Sequence, residues 1–154
     1  MDIVAESKKQ KTNTAREIAP QRILVPIDFS ISSKRAFAQA LSLAGKALRI
    51  TLLHVIPQAA ESDRIISGLV ASAKRSLTTF TENSRGDYDH SIHILVRTGA
   101  PFQEILAAAE ENNIEMIVLG VNESGPLAGI ELGHTIDRVS RYARCSVLLV
   151  RQSE

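Results

Sequence analysis

Between Arg22 and Arg151 the apolar residues follow two alternating rhythms. Short, nearly continuous apolar runs stand at RILVPID (22–28), RITLLHVI (49–56), SIHILVR (91–97), EMIVLGV (115–121) and CSVLLVR (145–151). Between them, apolar residues return every three or four positions. Ala36, Phe37, Ala40, Leu41 and Ala44 form the first such stripe, with Gly45 near its end. Ile66, Leu69, Val70, Ala73, Leu77 and Phe80 form the second. Phe102, Ile105, Leu106 and Ala109 form the third, opened by Pro101 in the first-turn position that proline favours. Ile136, Val139 and Ala143 mark the last. The short runs read as strands and the stripes as amphipathic helices.

Strands that lack polar alternation are buried on both faces, which requires helices on each side of a parallel sheet. The element order therefore predicts an α/β domain over residues 21–152, a three-layer, doubly wound sheet of five parallel strands. Residues 1–20 show no sustained period, mix both charges and end at Pro20, so a flexible tail is expected there. The run KKQK (8–11) within it reads as solvated charge.

In a doubly wound sheet, ligands lie beyond the carboxyl ends of the strands, where the strand order reverses. Two strand ends carry unusual residues. In VPIDFS (25–30), Pro26 has no amide hydrogen, so regular pairing is expected to stop there. Asp28 then stands at the strand tip. Its carboxylate is placed either to accept hydrogen bonds from a base or ribose or, like Ser30, to cap the next helix. The second stretch is VLGVNESGPLAGIELGHT (118–135), with glycines at 120, 125, 129 and 133. Its amides can form an anion nest, and the helix opening at Gly133-His134-Thr135 presents a partial positive charge to a phosphate. The same residues also describe a long surface loop. The spacing matches neither the G-x-x-x-x-G-K-[ST] loop nor the G-x-G-x-x-G turn.

Composition narrows the function classes. The chain has 154 residues, 44% of them hydrophobic and 23% charged, with a formal net charge of +1. That balance gives no global attraction to nucleic acid or an anionic membrane. No apolar run is long enough to span a bilayer and the N-terminus lacks a secretory core, so a soluble cytoplasmic protein is expected. Cys145 is alone, which excludes an internal disulfide and suits a small core residue in a reducing compartment. His54 lies inside a strand and reads as a packed histidine. His90 and His93 have no Cys or carboxylate at metal-ligand spacing, so no metal site is expected. Arg138, Arg141 and Arg144, with Asp137 in the first turn, read as a solvated helix face. Ser30, Ser32 and Ser33 form no nucleophile motif with His and Asp, and no catalytic pair emerges. The expectation is a protein that is not an enzyme, with weak hydrolysis through Glu123 as a lesser alternative.

The segments ILVPIDFSISSKRAFAQALSLA, LLHVIP, TGAPFQEIL, EMIVLG, GIELGHTIDRV and YARCSVLLVR occur in an order that resembles the universal stress protein family, from about Arg22 to Arg151. The resemblance implies the adenine nucleotide alpha hydrolase-like fold with strand order 3-2-1-4-5. The reversal then lies between the first and fourth strands, the two whose tips stand out. It also implies a stress-response module that binds ATP or AMP, with Mg²⁺ carried by the nucleotide. Nucleotide-binding members have a phosphate motif G-x2-G-x9-G-[ST]. Here Gly120 and Gly133 match its first and third glycines, Glu123 stands at the second, and His134, followed by Thr135, at the Ser/Thr position. By this resemblance Pro26, Ile27, Asp28 and Val55 line an adenosine site, and Leu119, Gly120, Asn122, Gly133, His134 and Thr135 surround the phosphates.

The two departures have opposite characters. An inward Glu123 repels a phosphate by roughly 1 kcal/mol at 4 Å in water and about 4 kcal/mol at an effective dielectric of 20. A helix terminus returns only about 0.3–1 kcal/mol. A Mg²⁺ shared by Asn122 and Glu123, or a Glu123 turned to solvent, removes the conflict. His134 can donate a hydrogen bond and, as imidazolium, suits a phosphate. The last strand, Ser146, Val147, Leu148, Leu149 and Val150, is an apolar edge, and family members dimerise there, so a homodimer is expected. An unidentified client protein completes the partners. The rival reading is a nucleotide-independent interaction protein with a degenerate phosphate loop.

Overall fold

The computed structural model describes residues 20–43, 49–58, 62–84, 86, 91–122 and 133–152. Strands β1 (Arg22–Pro26), β2 (Arg49–Pro57), β3 (Ser91–Gly99), β4 (Met116–Gly120) and β5 (Ser146–Val150) alternate with helices α1 (Ile31–Ser42), α2 (Asp63–Ser84), α3 (Pro101–Glu111) and α4 (His134–Tyr142). All strand pairs are parallel, and their order is β3-β2-β1-β4-β5. The expected five-stranded, doubly wound sheet is present, strand order included.

Strand parity divides the core in two. Ile23, Val25, Ile50, Leu52 and Val118 point to one face, where Ala36, Phe37 and Ala40 of α1 and Leu77 of α2 cover them. Leu24, Leu53, Ile117 and Leu119 point to the other, against Ile105 and Ala108 of α3 and Val139 of α4. Each fully buried aliphatic or aromatic side chain here contributes about 1.5–3 kcal/mol. Two details differ from the sequence pattern. The first helix ends at Ser42, with Leu43 as its C-cap, before the expected Gly45, and residues 44–48 lie outside the described residues. Leu69, part of the expected buried stripe, is 45% exposed. The first turns of α2 start at the carboxyl end of β2, beyond its last pairing with β1 at Leu53, where only β2 and β3 remain to pack against.

The central strands are pinned at one end and parted at the other. At the base, the Glu115 carboxylate accepts from the amides of Gln21 and Arg22 at 2.9 and 3.0 Å, and Arg22 Nε donates to Asn113 O at 2.7 Å. β1 then pairs with β4 only at Ile23 and Leu24, although it stays in register with β2 as far as Pro26. The Ile27 amide donates to Leu53 O at 2.8 Å, on the β2 side. Successive amides of a strand face opposite neighbours, so the Pro26 nitrogen faces β4. Pro26 has no hydrogen to donate at the next β4-facing position after Leu24, and the pairing with β4 ends there, as expected of a proline in a strand.

At the tip of β4, Gly120 lies under the first turn of α1. A Cβ at this position would stand 1.9 Å from Ser32 O and 2.2 Å from its carbonyl carbon. Gly120→Ala must displace helix backbone, and overpacking of this kind is expected to destabilise the protein by about 1–3 kcal/mol. Gly68, in the exposed middle of α2, provides the control. An added Cβ meets nothing within 4 Å there, so Gly68→Ala is expected to stabilise by up to about 1 kcal/mol. Denaturant midpoints of the two variants check both signs.

Candidate functional site

A cleft of about 610 Å³ opens above the carboxyl ends of β1 and β4. Its first wall is the turn from β1 into α1. Asp28 leaves the strand tip and folds back on the chain: its Oδ1 accepts from the Ser30 amide at 2.9 Å and from the Ser30 hydroxyl. Ser30 is the N-cap of α1, its Oγ accepting from the Ser33 amide at 3.2 Å. Ser32 Oγ lies 2.9 Å from the same oxygen. A hydroxyl has one proton to give, and that of Ser30 goes to Asp28, so Ser32 is the donor in the second contact. Ser30 therefore caps the helix, as one of the two expectations had it, and Asp28 lines the cleft.

Partial burial works to raise the Asp28 pKa. The Ser30 hydroxyl and amide and the Ser33 side chain outweigh it, and hold the carboxyl below its ordinary value. Phe29, between the two, adopts a left-handed backbone with φ 64°, unusual for a bulky residue. Its ring rests against His54 with centroids 5.1 Å apart. His54 Nδ1 lies 2.7 Å from the Ile27 carbonyl. A carbonyl can only accept, so Nδ1 carries the hydrogen and the neutral ring keeps Nε2 as an acceptor. The half-buried histidine thus serves both packing and orientation at the cleft.

The opposite wall is the start of α4. Gly133 is its N-cap, with no side-chain cap bond, and the first intrahelical bond runs from the Asp137 amide to Gly133 O at 3.0 Å. The amides of His134, Thr135 and Ile136 have no intrahelical acceptor by helix geometry and mark the positive end of the helix dipole. Among the described residues, a Cβ on Gly133 would meet nothing within 4 Å.

The structure brings all ten residues expected around a ligand to this one cleft: Pro26, Ile27, Asp28, Val55, Leu119, Gly120, Asn122, Gly133, His134 and Thr135. Glu123 lies outside the described residues, as do the glycines at 125 and 129 and His90. Sequence reasoning missed the apolar walls supplied by Pro101, Ile105 and Ile136, and the floor supplied by Val121. Part of their signal was available: Pro101 and Ile136 lie in first helical turns and Val121 directly after a strand, the places that face a strand-end cleft, while Ile105 lies one turn further along α3.

Other polar groups are engaged elsewhere. Arg141 meets Asp137 at 2.9 Å and Arg144 meets Glu110 at 3.4 Å, while the Arg138 guanidinium lies 4.6 Å from the centre of the Phe102 ring. Cys145 is half-buried, and burial pushes its thiol pKa up. Among the described residues no group of three or more His, Cys, Asp or Glu side chains could hold a metal, and no helix is long and apolar enough to cross a membrane.

A model of the universal stress protein family matches residues 20–151. The chain belongs to the universal stress protein family. Universal stress protein MJ0531 of Methanocaldococcus jannaschii is 27% identical over 140 residues, covering 86% of this chain and 82% of that protein. The solved structure of MJ0577, from the same organism, superposes with a TM-score of 0.75 at 23% identity, covering 89% of this chain and 99% of its own. An Arabidopsis thaliana family member with AMP bound gives a TM-score of 0.62 at 22% identity, covering 87% and 93% of the two chains. A universal stress protein in complex with cAMP gives 0.62 at 24%, covering 88% and 99%. These structural likenesses establish the adenine nucleotide alpha hydrolase-like fold.

Removing the shared hydroxyl tests the Asp28 turn. Ser30→Ala is expected to cost about 1 kcal/mol through the lost cap. It should also let the Asp28 pKa rise toward its ordinary value, which a carbon-detected NMR titration of the carboxyl reads directly. A depressed pKa contributes stability at pH values above the ordinary carboxylate range, lost as pH falls through the folded value. The wild type should therefore keep its margin over Ser30→Ala at neutral pH and lose part of it on acidification.

Proposed function

We propose that this universal stress protein is a non-catalytic, homodimeric module that takes an adenine nucleotide in the cleft between β1 and β4. One observation carries the reading: the cleft is chemically two-ended. At one end stands a carboxylate whose pKa is depressed, suited to accepting from an adenine amino group or ribose hydroxyls. At the other stands the amino end of α4, whose N-cap Gly133 has no side chain to occupy it, suited to phosphate. The residues between them, Pro26, Ile27, Val55 and Leu119, are apolar and match a base and sugar. The AMP and cAMP complexes of the two structural neighbours support the class of ligand. AMP sets the smaller demand on the phosphate end; ATP would bring Mg²⁺, with Asn122 and Glu123 as its nearest oxygen donors in sequence.

The rival reading, a nucleotide-independent interaction protein, draws on His134, which stands exposed at the first position of α4 where nucleotide-binding members have Ser or Thr. A cleft that lines up base and sugar without holding phosphate would leave that role to a protein partner.

For the homodimer, the support is the free side of β5. Among the described residues, β5 pairs only with β4. Val150 O accepts from the Val121 amide at 2.9 Å, and the Ser146 amide donates to Glu115 O at 3.3 Å, both toward β4. By strand alternation the backbone groups of Val147 and Leu149 point outward, ready to pair with a second copy.

Two measurements decide these points. At a hundredfold excess over Kd a nucleotide stabilises by about 2.7 kcal/mol. A chain of this length should then melt roughly 5–10 °C higher. That rise is expected with AMP, or with ATP and Mg²⁺, and is lost in Asp28→Ala; no shift at millimolar nucleotide overturns the reading in favour of its rival. Leu149→Pro removes one outward amide while sparing the β4 ladder. Sedimentation should report twice the monomer mass for the wild type and a monomer for the variant.

A further inference from the structure

The ion pairs of this protein are unevenly placed. The five among the described residues join the base of β1 to Glu115, α3 to Arg97, and α3 and α4 to Arg141 and Arg144. None involves α2. From Arg64 to Thr81 that helix carries three cations, Arg64, Lys74 and Arg75, and no carboxylate. None of the three meets a carboxylate within 4.0 Å among the described residues.

The same helix presents apolar surface to solvent. Ile65 is 50% and Leu69 45% exposed, two of the few large apolar side chains left open in the structure. At helical spacing, Ile65, Leu69 and Ser72 lie on one line, and Arg64, Gly68 and Arg75 on the adjacent, outermost one. Between the cations the outermost line is low, because Gly68 has no side chain and nothing stands within 4 Å of where its Cβ would be. A glycine in mid-helix lowers helix stability by roughly 0.8–1.0 kcal/mol against alanine, so the local sequence forgoes stability to keep this surface flat.

We propose that the outer face of α2 is a docking surface for an acidic amphipathic helix of another protein. The partner's apolar stripe packs on Ile65, Leu69 and the floor at Gly68, and its flanking carboxylates pair with Arg64 and Arg75. Charge selects this occupant over the alternatives inside the chain. A second copy related by a two-fold axis near Leu69 would set Arg64 against Arg75 of that copy, like against like. The N-terminal segment, residues 1–19, carries four cations against three acids and does not supply the complement. No α2 residue lines the cleft, so the surface does not depend on the nucleotide reading.

The test uses the full-length ¹⁵N-labelled protein and a synthetic helical peptide of about five turns, roughly 18 residues, with a Leu/Ala stripe flanked by Glu. Amide shifts are expected along Arg64–Ser76, with binding at least about tenfold tighter than to the same peptide flanked by Lys. Gly68→Leu should weaken binding by about tenfold or more while raising or preserving the melting temperature, which separates a blocked surface from a failed fold. The double variant Arg64→Glu, Arg75→Glu should reverse the preference between the peptides. No shift at millimolar peptide, or equal binding of the two peptides, overturns the proposal. So do shifts produced by phosphatidylserine vesicles and not by peptide, which would make the face a lipid surface. A dimer that Leu69→Lys dissociates would overturn it in favour of self-association.

Discussion

The cleft depends on β1 and β4 being held together at one end and released at the other. Glu115, accepting from two amides at the start of β1, holds the base. Two ladder positions later the strands part. Neither half of the device works alone. Without the anchor, the parted tips would be the start of a fraying sheet; without the parting, side chains of α3 and α4 would close over a continuous strand surface. Pro26 stands at the boundary, its missing hydrogen on the side where the pairing with β4 ends. The same chain direction carries Gly120 to the second tip, where the absence of a side chain lets α1 start close against the sheet.

From that geometry the polarity of the site follows. The turn after β1 is strained at Phe29 and steadied on both sides of it: Asp28 is tied to Ser30, and Ile27 is tied to His54, whose ring packs on Phe29. The result is a carboxylate whose pKa is held down and which keeps its place with no cationic partner among the described residues. A lysine or arginine neighbour would have achieved the ionisation too, but would have filled the acceptor position. Serine hydroxyls and amides polarise Asp28 while leaving the cleft open to a donor from outside.

The sheet was legible from apolar runs because burial on both faces leaves no freedom for polar residues, as in RILVP or MIVLG. The cleft was legible in part for a different reason: the local pattern breaks at the tips of the first and fourth strands, which pointed to Asp28 and to the start of α4, while the family resemblance supplied the full set of ten, Val55 among them. What sequence could not deliver were quantities set by three-dimensional neighbours. Leu69 has the spacing of a core residue, and only the height of the sheet decides that it stays half exposed. Ile105 and Ile136 look like core and are also walls, because a residue near a helix start can face both. The proton order through Ser32, Ser30 and Asp28 needs distances, as does the tautomer of His54.

The two glycines at the ends of the phosphate motif are not equivalent witnesses. Gly120 is required by its contact with Ser32 and will persist in any descendant that folds this way, with or without a ligand. Gly133 has an ordinary backbone and, among the described residues, nothing within 4 Å of where a Cβ would stand, so no contact described for the fold requires it. Among relatives with this fold, drift at position 133 would track the loss of a ligand, and constancy at position 120 would record only the architecture.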